Sequence, residues 1–361
     1  MWRRPFNGGW RTSATGATPR RSPSRTCRRT RGTAPSRSSH RRERNGSPLT
    51  VWEVPEPLAV DEVRLDEETV TTLRRHGRPD APLRLVLSHG NGLAIDAYYP
   101  FWSLLEDEFD LIVYDVRNHG WNAVGEQTNH NIPAMIHDHD VLAGTIAERY
   151  GDKPTVGVFH SLTTIVAILS FSEPYSGLVL FDPPFCKPAA SEAEFDDAAD
   201  RATALTRRRA PHFRSEEEFS DLLRYSPVYA RVLPGVRELV ASTTLRKAED
   251  GEGRELRCPR EFEAQVSEYV RSFAPLLDLS LLSCPTKVIG ADPTLPYAYL
   301  PSFDLKSIRN VDYDFIADST HFLQLEKPAE CVAMLRAFLA QTGLLRASNQ
   351  RRAQWSCKGG V

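Results

Sequence analysis

Short apolar runs, each bounded by turn residues, constrain this chain more than any other feature. They fall at 83–87, 111–114, 156–159, 178–181 and 288–289. Runs this short and this rich in Val, Ile and Leu suit strands buried on both faces of a parallel sheet. Segments long enough for helices separate them, at 97–108, Ile132–Tyr150 and 162–172. In the second, Ile132, Met135, Ile136, Leu142 and Ile146 share one stripe. Near the end, Cys331, Met334, Leu335, Phe338 and Leu339 follow the spacing of an amphipathic helix. Ahead of the first run, 58–65 and 69–73 alternate apolar and polar residues, as half-exposed strands do. Alternating strand and helix predicts an α/β fold: a mostly parallel sheet of about eight strands with helices on both faces.

One stretch breaks the rhythm. Residues 187–277 read as helical and highly charged, with no strand run inside them. A structureless loop of that length is improbable, so an inserted helical cap is expected there. The predicted organisation is a core over 49–186 and 278–345, the cap at 187–277, and a flexible tail at 346–361. The charge runs at 192–197, 207–209 and 216–218 are read as the solvated face of the cap.

The first 48 residues contain no Leu, Val or Ile, and residues 1–47 hold 13 arginines against one acid, Glu43. Such a segment cannot bury enough apolar surface to offset the entropy of ordering, so it is expected to be disordered. It lacks the apolar stretch of a secretory signal. Three readings stay open: leader sequence translated from a start assigned too far upstream, a transit peptide that would place the protein in a mitochondrion, or a basic arm for anionic partners. The rest of the chain carries 32 bases and 46 acids. That acidic body argues against a nucleic-acid enzyme, because phosphate binding needs a basic face. No run of apolar residues is long enough to span a bilayer. Six cysteines at 27, 186, 258, 284, 331 and 357 form no CxxC pair. Neither a zinc site nor a disulfide framework is suggested, and a reducing, cytoplasmic setting is expected.

Three segments carry chemistry. Ser88-His89-Gly90-Asn91-Gly92 follows a strand run, where glycines permit a tight turn with outward-pointing N–H groups. Val156 to Thr163 takes a strand straight into a helix, with Ser161 at the junction and the N–H of Leu162 at the helix start. Ser161 there is either a nucleophile or an ordinary helix cap. Asp318-Ser319-Thr320-His321-Phe322 follows the last strand; a single histidine in such a place is otherwise a surface or packing residue.

Together these give the chain order Ser, acid, His. The sequence resembles the α/β-hydrolase superfamily, of the type with a cap after the sixth strand, over roughly residues 51–343. His89-Gly90-Asn91-Gly92 is similar to the family's HG oxyanion turn, and Asp115 to Gly120 to its D-x-R-G-H-G segment, with Asn118 replacing Gly. His160-Ser161-Leu162 matches the centre of G-H-S-L-G, and His321-Phe322 with Glu326-Lys327-Pro328 resembles the closing H-F-x-x-x-E-x-P. The resemblance implies a serine hydrolase acting on a small-molecule ester or related acyl bond, without cofactor or metal. It assigns Ser161 as nucleophile, His321 as base, and the N–H groups of Asn91 and Leu162 as the oxyanion hole. For the acid it favours Asp292, after the strand that follows the cap, although the gap after Gly290 is one residue short. Asp182, before the cap, is the alternative, and Asp318 is local to His321.

Phe159 and Thr163 stand where the family's G-x-S-x-G has glycines. The large Phe159 puts the geometry of the turn in question. It motivates a rival reading, a ligand-binding protein with a weak or decayed site. Hydrolysis of a C–C bond or a thioester would use the same triad. His130, His137 and His139 with Asp138 and Asp140 suggest a metal only weakly, since i and i+2 on a helix face apart. Cys186 is read as a small buried hydrophobe.

Overall fold

The structure, a computed structural model, describes residues 51–172, 174–184, 192–295 and 310–345. The expected tails at 1–48 and 346–361, and Cys186, lie outside the described residues.

β1 (Ala59–Arg64) and β2 (Val70–Gly77) pair antiparallel, each half-exposed, as their alternation predicts. The apolar runs then form β3 (Arg84–Leu87) and β4 (Asp110–Tyr114). Between these two, the expected helix at 97–108 is only α1 (Tyr99–Trp102), flanked by 3₁₀ turns. Ile95 to Tyr98 and Pro100 to Trp102 are buried, so no exposed face remains for a longer amphipathic helix. α2 (Ile132–Tyr150) has the expected bounds: Asn131 caps it through Ala134 N, and Gly151 at φ 80° ends it. β5 (Thr155–His160), α3 (Leu162–Leu169) and β6 (Gly177–Phe181) follow.

The segment after β6 is not purely helical. It holds α4 (Glu192–Arg208), β7 (His212–Phe213), α5 (Glu216–Leu223), α6 (Val236–Thr244), β8 (Leu245–Lys247), β9 (Arg254–Leu256) and α7 (Arg260–Phe273). The three strands form a small antiparallel sheet, in the order β7-β9-β8. Strands of two or three residues carry no apolar run that a sequence reading could detect. The β8–β9 pair is tied instead by Arg246 and Glu255, 2.7 Å apart. The chain returns to the core with β10 (Thr286–Gly290), β11 (Val311–Phe315), α8 (Leu323–Glu326) and α9 (Pro328–Gln341).

The main sheet has eight strands in the order β1-β2-β4-β3-β5-β6-β10-β11, parallel from β4 to β11. Alternate strand residues feed two cores. Leu85, Leu87, Leu111, Val113, Val156, Val158 and Phe181 join Phe101, Leu335 and Phe338 of α1 and α9 on one face. Val86, Ile112, Phe159, Leu178, Leu180 and Val288 join Leu142 and Ile146 of α2 on the other. Each such fully buried side chain contributes about 1.5–3 kcal/mol of transfer free energy. Burial on both faces is why these strands appear in the sequence as apolar runs. Among the described residues, no helix is long and apolar enough to cross a membrane. A parallel sheet of this kind presents the carboxyl ends of its strands along one edge, where ligand sites of open α/β sheets form.

Candidate active site

Four strand ends deliver the side chains that meet at this edge. β5 ends in His160 and turns into α3 through Ser161, whose φ of 52° and ψ of −114° no ordinary strand or helix contains. Holding a non-glycine residue at such an angle costs about 1–3 kcal/mol and persists only where the surroundings enforce it. Here Ser161 N donates to Phe181 O at 3.1 Å, and Thr164 N donates to Ser161 O at 3.0 Å. The Ser161 hydroxyl makes no helix-capping bond. It lies 3.0 Å from Nε2 of His321.

His321 stands on the loop after β11. That loop is fixed from behind by Glu326, whose carboxylate accepts from Thr320 N at 2.8 Å and from the Thr320 hydroxyl. The other ring nitrogen, Nδ1, is 2.6 Å from Oδ2 of Asp182. Asp182 directly follows β6, is wholly buried, and has φ 39°. Its Oδ1 accepts from Ala291 N at 3.0 Å. A carboxylate can only accept, so His321 Nδ1 donates to Asp182, and Nε2 is left to accept from Ser161.

The turn after β3 closes the arrangement. His89, buried, donates from Nδ1 to Gly90 O at 2.8 Å and accepts Val116 N at Nε2, 3.1 Å away. Gly90 sits so close to the Ser161 turn that a Cβ on it would lie 2.9 Å from His160 Nδ1 and 3.2 Å from Ser161 Cβ. Gly92, at φ 74°, donates its N–H to His119 Nε2 at 3.0 Å. Between the two glycines, the N–H of Asn91 has no acceptor among the described residues. Leu162 is the first residue of α3, where the N–H has no partner within the helix.

The model of the alpha/beta hydrolase family matches residues 85–334, more than half of the chain. The chain belongs to the alpha/beta hydrolase family. Among solved structures, an E-2-(acetamidomethylene)succinate hydrolase is similar, with a TM-score of 0.64 and 17% identity over 78% of this chain and 99% of the other. A peroxisomal alpha-beta-hydrolase from Saccharomyces cerevisiae gives 0.61 and 15%, over 87% of this chain and 96% of the other. A thermophilic esterase from Thermogutta terrifontis gives 0.54 and 22%, over 79% and 99%. At such identities the likeness is one of fold. No curated protein matches the sequence.

In this alpha/beta hydrolase the acid beside His321 is Asp182, and the expectation for Asp292 needs correction. The short gap after Gly290 leaves Asp292 past the end of β10, where its N–H donates to Ser319 O at 2.9 Å. Its Oδ1 accepts from the Thr294 hydroxyl and N–H at 2.6 and 2.8 Å, and its Oδ2 accepts from Asp318 N at 2.7 Å. The Thr294 hydroxyl, followed by the Asp318 N–H, holds the Asp292 carboxyl below the usual range. Asp318 pairs at the surface with Arg231.

Phe159 does not obstruct the turn. Its ring lies back along β5 over Gly157, where a Cβ would come within 2.4 Å of Phe159 Cε2. It packs edge-on to His139 and Tyr175, with ring centroids 5.2 and 5.6 Å away. Thr163 bonds back to the turn, its hydroxyl donating to His160 O at 3.1 Å.

The charge run at 207–209 is only partly a solvated face. Arg207 pairs with Glu268 at 2.8 Å, but Arg209 turns inward to pair with Glu263. The Glu263 carboxylate lies against Gly92, and Glu263 O accepts from Asn91 Nδ2 at 2.8 Å. α7 is thereby bonded to the residue whose N–H is free.

The histidines first considered for a metal are engaged elsewhere. His139 meets the hydroxyls of Tyr114 and Tyr175 at 3.0 and 3.2 Å, His137 donates to Leu65 O at 3.2 Å, and Asp138 pairs with Arg117. His119, His130 and Cys258 do lie together, with potential ligand atoms within 4.8 Å of one another. Their donor set does not suit an ion. His119 Nδ1 donates to Arg117 O, so its one lone pair, on Nε2, is taken by Gly92 N–H. His130 Nδ1 accepts from Asn118 Nδ2, which places its proton on Nε2. Burial pushes the Cys258 thiol well up, away from the thiolate a metal needs.

Sequence reasoning did not single out Glu326 as a brace or Gly157 as the seat of the Phe159 ring. Both act through contacts made across the fold or along one strand face. The family-like spacing from His321 to Glu326 is the signal that points to the first.

Proposed function

We propose that this protein is a serine hydrolase that transfers an acyl group to water, most simply from a small-molecule ester. The single observation that carries the reading is the double hydrogen bonding of His321, to Ser161 on one side and to buried Asp182 on the other. His321 takes the Ser161 proton at Nε2 as Oγ attacks the carbonyl carbon. The N–H groups of Asn91 and Leu162 receive the negative charge that develops on the carbonyl oxygen. Asp182 holds the imidazole in the required tautomer and stabilises the imidazolium. His321 then protonates the leaving group, and in the second half it activates the water that releases the acid. No step calls on a cofactor.

The segment between β6 and β10 serves as the cap over this site. The bond from Asn91 to α7 supports that role, as does the inward Arg209–Glu263 pair beside the turn. The reaction class is tested by a fluorophosphonate probe together with a panel of esters, thioesters and vinylogous C–C substrates. Labelling at Ser161 and turnover of one class are expected. A folded protein that resists the probe and leaves the whole panel intact refutes the reading.

A further inference from the structure

The residue before Ser161 and a tyrosine after the oxyanion turn form a hydrogen-bonded chain that the mechanism above does not use. The Gly90 N–H donates to the Tyr98 hydroxyl at 3.2 Å. That hydroxyl lies 2.7 Å from His160 Nδ1, and His160 Nε2 lies 2.8 Å from the main-chain carbonyl of His321. Tyr98 and His160 are each only 1% exposed. The direction of every bond follows from the acceptor at the far end. A carbonyl only accepts, so His160 Nε2 carries the proton and Nδ1 holds a lone pair. The Tyr98 O–H must therefore donate to Nδ1, leaving its own lone pair for Gly90 N–H. Burial pulls the His160 pKa well below its ordinary value and raises that of Tyr98, so both keep the neutral forms this chain requires.

We infer that Tyr98 and His160 are positioning residues that lock the oxyanion turn and the His321 loop to the strand end carrying Ser161, an inference that rests on the serine-hydrolase reading. Three segments that meet only in the folded state converge on these two side chains: the turn after β3, the junction after β5 and the loop after β11. The His160 ring also lies against that of His321, with centroids 4.6 Å apart. A neutral ring at that distance places no like charge beside the imidazolium that forms in the reaction. Neither residue touches the reacting atoms. Their effect is on where Asn91 N–H and His321 Nε2 sit relative to Ser161 Oγ.

The test uses Tyr98→Phe, His160→Gln and the double variant in the full chain, with p-nitrophenyl acetate as substrate and rates taken per folded molecule. Tyr98→Phe keeps the ring and removes only the hydroxyl. The expected result is a fall in kcat of roughly 10–100-fold with KM little changed, the signature of misplacement rather than lost binding. Fluorophosphonate labelling should slow by the same factor. The double variant should be no slower than the slower single one, because both substitutions break one chain. Unchanged kcat and labelling in Tyr98→Phe, a loss borne by KM, or single losses that multiply would each overturn the inference.

A second measurement does not depend on turnover. Ring-nitrogen NMR of wild-type protein should find His160 protonated at Nε2 and bare at Nδ1, and a proton on Nδ1 overturns the chain of bonds. A wild type that neither turns over nor labels would count against the hydrolase reading. The NMR result would still decide the bonding.

Discussion

Asp182 and Asp292 both stand near the carboxyl ends of neighbouring strands, and of these two only Asp182 is shielded from water. Asp182 is fully buried and bonded to His321, while Asp292 is spent on Thr294 and the Asp318 N–H. Asp182→Asn is therefore expected to lower turnover by about 10²–10⁴ through the wrong imidazole tautomer, and Asp292→Asn to leave it nearly unchanged. Steady-state rates of the two variants check this, and the reverse order would reinstate Asp292. Ser161→Ala is expected to abolish probe labelling and cut hydrolysis by several orders of magnitude. The fold should be almost unaffected, because the hydroxyl caps no helix. Ser161 and His321 are legible in the sequence because each sits in a short motif at a strand end. The acid is legible only as a choice among three, since a carboxylate's reach depends on where two strands end side by side. In the fold Ile289 lies opposite Phe181, and the carboxylate that reaches His321 is that of Asp182, the next residue after Phe181.

Helices α2 and α9 are visible in the sequence because one face packs on the sheet and the period survives. α1 is visible only as a longer helix than it is, because it is buried nearly all round, and β7, β8 and β9 are too short to show a period. β5 shows how an element can absorb a departure from its family pattern. Phe159 stands at a position usually small, and Gly157, two residues earlier on the same face, receives its ring. Gly157→Ala is accordingly expected to destabilise the fold by about 1–3 kcal/mol through overpacking. Phe159→Leu in the same chain should recover part of that loss. Denaturant midpoints of the single and double variants measure both, and additive losses would show that the two positions do not share the space.

At the scale of the whole molecule, six buried histidines among the described residues have their pKa lowered, which favours the neutral ring: His76, His89, His119, His130, His139 and His160. Burial is the first cause in each, and it pulls His76 and His139 to about 4 and His130 to about 3. The unfolded chain takes up these protons near pH 6.5, the folded chain only far lower. Stability is thus fully present above about pH 6.5 and is lost as pH falls toward 4, at up to about 1.4 kcal/mol per pH unit for each proton. Urea midpoints between pH 7 and 4.5 should fall steeply, and a flat profile would contradict the neutral histidines. Removing residues 1–48 should leave the melting temperature nearly unchanged, since that segment has no Leu, Val or Ile to bury. The position of Asp182 has a consequence in time as well as in space. β5 and β6 are successive strands along the chain, so the proposed nucleophile and acid are made within a short stretch of synthesis. The base follows 139 residues after the acid, beyond the whole inserted segment. On the proposed mechanism, a chain still emerging from the ribosome carries an inert serine, and hydrolysis switches on only when the last loop docks.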